Sequence, residues 1–399
     1  MTQHLFASTV LAAIVSASGI SAASAQDGGW SFDGVPGWSN PETGNSIKLR
    51  GRIYLDTADI DFETGGATTN YQDGEIRTAR LGITGTFNSV DYTAEFDFID
   101  EEITAKDVVL TFDAGEVDIK LGHFKTPNSM EEQTSSRYIT FMERGQGTDL
   151  FGLDRRVGAM VTRGGDNYSF AAGAFAGRPG DLSQTLELDD SSAFAARVTY
   201  TPVDTDAMTV HLGASTRYMD YGDAGTRVRV RPNTHITPRI VSADFRPGSV
   251  LGEADSSMFW GLEGAIIAGS FHGHTEFMTM DVDGPAGDPS FDSWFVNLGY
   301  FLTGETRSYS ASSGKFGRTR PQTTLSEGGY GAVEAAVRYD VSDLDTVAAG
   351  ELTTWTLGLN WYLEDHFRIM VNYIDGERTI AGAPDTDVTG AQIRVQWDF

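Results

Sequence analysis

The last nine residues, Ala391-Gln392-Ile393-Arg394-Val395-Gln396-Trp397-Asp398-Phe399, alternate apolar and polar side chains without a break and stop on an aromatic. Successive side chains of a strand face opposite sides, so Ala391, Ile393, Val395, Trp397 and Phe399 share one surface, and Gln392, Arg394, Gln396 and Asp398 the other. A water-soluble protein rarely leaves such a strand at its terminus. A strand with lipid on one side and water on the other has this composition, and its aromatics settle where the membrane meets water. The nonapeptide predicts the closing strand of a transmembrane barrel.

The opposite end is consistent. Leu5 to Ile20 is apolar with small residues, and Ala23-x-Ala25 fits a signal-peptidase site, giving a signal peptide over residues 1–25 and a mature chain from Gln26. The stretch ahead of the apolar run carries His4 but no Lys or Arg. No other apolar run reaches the ~18–20 residues that a membrane-spanning helix needs. An exported chain that stays in a membrane without such helices closes its sheet, because lipid offers no hydrogen bonds to an open edge.

The alternation recurs along the chain. Trp355, Leu357, Leu359, Trp361 and Leu363 form one apolar face, and after Glu364-Asp365-His366 it continues in Phe367, Ile369, Val371 and Tyr373. That is a hairpin with a short turn of the periplasmic type. Trp294 to Leu302 and Val333 to Val341 repeat the pattern. Strands of ~9–11 residues with their connections fit about 16 strands into the mature chain, at roughly 23 residues each. The fold class is therefore all-β, a transmembrane antiparallel β-barrel over residues 47–399. Residues 26–46, rich in Gly, Pro, Trp and Asn and without a period, are expected to be irregular and to lie at the periplasmic mouth.

One segment breaks the rhythm. In Thr134–Arg144 the residues Tyr138, Phe141 and Met142 fall at helical spacing, with Arg137, Thr140 and Arg144 on another side and Thr134 or Ser135 as N-cap. The pattern predicts a short amphipathic helix. It either folds into the lumen, with Arg137 and Arg144 facing the pore, or stands in an outer loop.

Cysteine is absent, which removes disulfides, thiol catalysis and Cys-based zinc sites. A formal net charge of −27 argues against a nucleic-acid partner. The acids cluster at Asp56–Glu63, Glu187–Asp190, Asp281–Asp292 and Asp375–Asp387, stretches that read as loops. Such loops would meet anionic lipopolysaccharide through structural Ca²⁺ or Mg²⁺, or would simply be solvated. No other cofactor is implied.

The lumen chemistry follows from strand phase. Lys48, Arg50 and Arg52 alternate with Ile47, Leu49, Gly51 and Ile53, and a charge on lipid costs ~2–4 kcal/mol at mid-membrane, so the three cations belong on the water side. Arg227, Arg229 and Arg231 repeat the pattern with Val228 and Val230 between them, and Arg80, Lys120, Arg338 and Arg394 also take polar phases. Arg77 and Arg80, three residues apart, fall on opposite faces of an ideal strand. Glu95, Asp97, Asp118 and Glu334 take lumen phases too, so mixed charge is the competing reading. Of 29 basic residues 24 are Arg, whose paired donors suit oxyanions. His272, His274 and Glu276 share one strand face; they could bind a transition metal or line a wet lumen. The chain has no P-loop, dinucleotide fingerprint or Gly-x-Ser-x-Gly elbow, and an enzyme is not expected.

Seven stretches in order from about residue 47 to 399 resemble the phosphate-selective porin O and P family of Gram-negative outer-membrane porins. They are Gly51–Asp56, Arg77–Gly82, Gly122-His123-Phe124-Lys125, Thr134–Arg144, Arg231-Pro232-Asn233-Thr234-His235, Gly299–Glu305 and Leu357–Tyr362. The resemblance implies a homotrimer of 16-stranded barrels in the outer membrane, with the third outer loop folded inward as the constriction, and cation ladders for anions. It adds Lys125 to the candidate anion-binding set of Lys48, Arg50, Arg52, Arg80, Lys120, Arg137, Arg144, Arg227, Arg229 and Arg231. The leading expectation is a passive channel for small hydrophilic solutes that prefers anions, phosphate or other oxyanions among them. The alternatives are a non-selective or cation-tolerant porin, an adhesive or structural barrel whose loops bind divalent cations, and a barrel hydrolase using His272 or His274.

Overall fold

The computed structural model describes residues 28–31, 35–99, 101–178, 188–284 and 287–399. The expected signal peptide lies outside them. Sixteen antiparallel strands make one continuous sheet. They are β1 Ser46–Thr64, β2 Ala67–Phe87, β3 Val90–Asp97, β4 Thr104–Asp113, β5 Asp118–Lys125, β6 Arg155–Gly164, β7 Tyr168–Phe175 and β8 Ser192–Asp204. There follow β9 Thr209–Asp220, β10 Ser256–Ala268, β11 Phe271–Asp283, β12 Ser290–Phe301, β13 Ala332–Asp343, β14 Glu351–Glu364, β15 Phe367–Thr379 and β16 Thr386–Asp398. The sheet closes where β16 runs along β1, from Thr386 opposite Thr64 to Asp398 opposite Arg52. Phe399 and Gly51 exchange backbone hydrogen bonds beyond that ladder. A Cβ on Gly51 would sit 2.5 Å from the Phe399 ring, so the closing aromatic needs glycine there.

Lipid and lumen faces alternate as the pleat demands. On β14, Trp355, Leu357 and Leu359 are about half exposed, while Thr354, Thr356 and Asn360 between them are fully buried. The outward side is an apolar surface with nothing of the protein over it, as a lipid-facing band must be.

Two expectations change. The segment thought irregular carries two short strands, Gly29–Ser31 and Gly37–Ser39, which pair with each other, and the second pairs with β1. The acids thought to sit in loops lie largely on strands. Asp59, Asp61 and Glu63 of β1, Asp375 and Glu377 of β15 and Asp387 of β16 are exposed on the outward face, where the strands run past the length a bilayer needs. Alternation accounts for this: the inward partners Ala58, Ile60, Phe62, Ile374 and Val388 form their own apolar cluster.

Three connections fill much of the lumen. The third outer loop, between β5 and β6, contains helices α1 Met130–Gln133 and α2 Gln146–Leu150. The fifth, between β9 and β10, holds a hairpin of Thr226–Val230 with Val241–Phe245. The third is unexpected. It joins β12 to β13 at the end where the other turns are short, and runs from 302 to 331 with a small hairpin at Tyr309–Ser310 and Lys315–Phe316.

The third loop turns inward, but 134–144 is not the helix its spacing predicts. Its backbone carbonyls are taken one after another by wall side chains. Gln396 donates to Arg137 (3.0 Å), Arg368 to Ile139 (2.8 Å), Asn360 to Thr140 (2.8 Å), Arg394 to Met142 (2.5 Å) and Arg338 to Glu143 (2.9 Å), and Arg307 of the 302–331 connection donates to Tyr138. A carbonyl already satisfied from the wall gains nothing from a helix, so a path of turns and bends wins. The two real helices flank this stretch.

Candidate functional site

A cavity of about 420 Å³ opens between β1–β6 and the third loop. Ten cations line it: Arg50, Arg52, Arg77, Arg80, Lys120, Lys125, Arg144, Arg155, Lys315 and Arg394. Its lining has two acids, Asp107 and Glu143, together with the hydroxyls of Ser135 and Ser136.

Each cation reaches the cavity for a local reason. Arg50 and Arg52 stand at period two on β1. Arg77 and Arg80 face the same way because β2 carries a bulge: Tyr54 lies opposite Thr78 and Leu55 opposite Ile76, leaving Arg77 without an opposing residue. An extra residue flips the phase of one side of a strand against the other, so both arginines line the cavity. Lys125 and Arg155 pair at the rims of β5 and β6. Arg144 comes from the third loop, its guanidinium donating to Glu131 O (3.0 Å) and Thr134 O (2.9 Å).

Acids behind the lining, and Asp107 within it, hold most of these groups. Glu95 is fully buried and takes Arg50 at 2.8 Å, Arg52 at 2.9 Å and Arg80 and Arg137 at 3.6 Å. Asp97 takes Arg80 at 2.8 Å, Asp107 takes Arg155 at 2.9 Å, and Glu132 takes both Lys125 and Arg144 at 3.0 Å. One carboxylate shared among four guanidiniums leaves positive charge over. Among the described residues, Lys120 and Lys315 line the cavity without an ion pair, and they are close enough for each to act on the other's charge.

Other candidates lie elsewhere. Lys48 belongs to a vestibule of about 770 Å³ beneath the N-terminal hairpin, beside Trp38, Thr84 and Tyr92. Arg137 sits behind the cavity, donating to Gly51 O at 3.1 Å with Asp398 at 3.8 Å, in a crevice with Arg307 and Arg318. Arg227 and Arg229 are not on a barrel wall, as their alternation suggested, but on the fifth-loop hairpin, and Arg231 follows it. Val228 and Val230 explain the pattern: they pack into the main apolar cluster with Phe259 and Phe291, so the arginines face away. Arg227 pairs with Asp244 at 3.1 Å and joins Arg156, Arg178, Arg217, Arg229 and Arg246 around a cavity of about 340 Å³.

His272, His274 and Glu276 all point inward, but into separate bonds. His272 meets Glu334 at 2.7 Å, His274 meets Glu276 at 2.9 Å, and Glu276 accepts from the Glu131 backbone at 2.7 Å. Among the described residues no three His, Asp or Glu side chains gather to hold a metal ion.

The sequence reading missed Arg155 and Lys315. Arg155 stands at a strand end, where alternation carries little information. Lys315 belongs to a connection with no strand rhythm. Its signal was the 30-residue gap between two clear strands, too long for a turn.

The family profile described as "Phosphate-selective porin O and P" matches residues 47–399. An uncharacterized protein of Caulobacter vibrioides is 31% identical over 380 residues, covering 89% of this chain and 74% of that one. Porin O of Pseudomonas aeruginosa is 24% identical over 396 residues, covering 89% and 88%. Among solved structures, an anion-selective porin from Comamonas acidovorans superposes with a TM-score of 0.58 at 11% identity, covering 89% of this chain and 100% of that one. A trimer form of OmpT from Vibrio cholerae gives 0.53 at 13%, covering 89% and 100%. These superpositions carry the fold, and the profile match across the whole barrel carries the lineage: the chain belongs to the phosphate-selective porin O and P family and is an outer-membrane porin of a Gram-negative bacterium.

Proposed function

We propose that this porin is an anion-preferring diffusion channel whose cavity takes small oxyanions such as phosphate. One observation carries the reading. A chain of net charge −27 surrounds its open passage with ten cations and two acids. A low-dielectric tube lined by one sign of charge concentrates ions of the other sign and speeds their entry. Guanidinium pairs suit the edge of a phosphate, and the Ser135 and Ser136 hydroxyls supply donors beside them. The fifth-loop hairpin would feed this cavity, since Arg231 lies within electrostatic reach of Arg239, Glu143 and Arg77. The Porin O relative and the anion-selective porin neighbour point the same way. A homotrimer fits the trimeric OmpT form, and the outward acids of β1, β15 and β16 would meet lipopolysaccharide across divalent cations.

The test is the reversal potential of the refolded protein in a planar bilayer under a KCl gradient, followed by phosphate. Chloride preference with phosphate blocking the chloride current supports the proposal. Potassium preference without block overturns it, and a general porin governed by its outer acids would then be the better description.

A further inference from the structure

Of the two acids that line the cavity, Asp107 is on the wall and Glu143 is on the loop. The Glu143 side chain meets the wall at Arg77 of β2 and Arg394 of β16. Its two carboxylate oxygens accept from Arg77 Nε and Nη2, both at 3.0 Å, and one of them also accepts from Arg394 Nη2 at 3.0 Å. The edge that Arg77 offers is the paired edge a guanidinium offers to two oxygens of a phosphate. The carboxylate therefore stands where a bound oxyanion would stand.

Holding the loop in place does not require this carboxylate. Six carbonyls of the segment from 137 to 143 already accept from five wall side chains and from Arg307, the Glu143 carbonyl, which accepts from Arg338, among them. Nor is the side chain sealed away: it keeps about a fifth of its surface open. Burial alone would push its carboxyl up, but Arg77 and Arg394 hold it well below the usual carboxylate range, so it is ionised. Around it, Arg394 is shared with Asp56 at 2.6 Å, His235 is held by Glu75 at 2.9 Å, and Arg231 and Arg239 stand near Asp149. Arg77, Arg394, Arg231 and Arg239 thus face Glu143, Asp56, Glu75 and Asp149, and removing the Glu143 charge would leave the subsite with positive charge over.

We infer that Glu143 is a tethered counter-anion occupying an oxyanion subsite made by Arg77 and Arg394, and that a permeating oxyanion passes the third loop by taking its place. The inference rests on the anion-channel reading and deepens it. A subsite left empty would trap its ligand; one already filled by a tethered competitor binds weakly enough to release it, which conduction requires. Lys120 and Lys315, with no acid paired to them, would receive the ion next.

The experiment compares block of the chloride current by inorganic phosphate in the wild-type protein and in Glu143→Gln, Glu143→Asp and Glu143→Gln/Arg77→Gln. Removing the competitor should lower the half-blocking phosphate concentration by about tenfold in Glu143→Gln, the change expected for one charge-assisted pair. Glu143→Asp, which keeps the charge one methylene further from Arg77, should shift it the same way by less. That variant carries the test should Glu143→Gln fail to refold. The double variant should lose the gain. A wild-type channel that phosphate blocks, with half-block unchanged or raised in Glu143→Gln and Glu143→Asp, overturns the role of Glu143 and leaves the channel reading standing. A wild-type channel that phosphate does not block overturns both.

Discussion

The two halves of the lumen wall obey the same alternation and put the same kind of residue inward, yet their arginines do different work. Along β13–β15, Arg338 and Arg368 lie beneath the third loop. Each is almost fully buried and donates to a loop carbonyl. Along β1–β6, Arg50, Arg80, Lys120 and Arg155 face a cavity. Strand phase makes a cation point inward. What covers it decides whether it serves the loop or the solute, and the cover comes from connections far away in sequence.

The largest expected effect lies on the covered side. Arg338 is fully buried, pairs with Asp340 at 2.6 Å and stacks over the Phe141 ring with its guanidinium carbon 4.6 Å from the ring centre. Arg338→Met would leave Asp340 with Asn233 and the Gln146 N–H but without its countercharge. Breaking such a pair costs about 3 kcal/mol, to be read from urea unfolding of the refolded barrel. Single-channel records should become larger and noisier as the 137–143 segment loosens. Unchanged stability and conductance would erase the distinction between the halves.

A smaller effect is expected on the open side, in a different observable. Lys120→Gln with Lys315→Gln removes two cations that make no ion pair among the described residues. The chloride-to-potassium permeability ratio should fall by about tenfold, the low end of what focused charge does to ion entry. Unfolding stability should not fall, since no ion pair is broken, and should rise at pH 7 because the fold holds the Lys315 ammonium at a cost. A stability loss as large as that of Arg338→Met would mean the open side is structural too.

This comparison also explains what could be read in the sequence. The barrel, its closing strand and the inward phase of Arg50, Arg52, Arg80 and Lys120 follow from alternation, because lipid tolerates one phase and forbids the other. Alternation failed where no lipid enforces it. Arg227, Arg229 and Arg231 mimic a wall strand because an apolar cluster inside the lumen imposes the same period. The Thr134–Arg144 spacing mimics a helix because Phe141 and Met142 pack on the wall while its carbonyls are taken from outside the segment. Arg77 was ambiguous because a one-residue bulge cannot be seen in a single sequence. Lys315 was missed because its position depends on a long connection entering from the end where turns are normally short.

That residue gives the smallest and most specific effect. Burial, with Lys120 and Arg197 nearby, pushes the Lys315 ammonium down to about 8, and Asp107 opposes this only in part. Lys315 is therefore charged at pH 7 and loses its proton as pH rises through about 8. Anion preference should decline over that interval without disappearing, because the seven arginines that line the cavity beside Lys120 and Lys125 keep their charge. In Lys315→Arg the decline should be smaller, with the variant keeping more anion preference than wild type above pH 8, as measured by reversal potential at each pH. Stability moves the other way. A lysine whose folded value lies below its ordinary one binds fewer protons in the barrel than in the unfolded chain, so folding gains as pH rises from about 8 towards the ordinary lysine range. Selectivity that falls while stability rises over one pH interval would mark a charge kept on the open side for the ion. A cation kept there for the fold would lose both together.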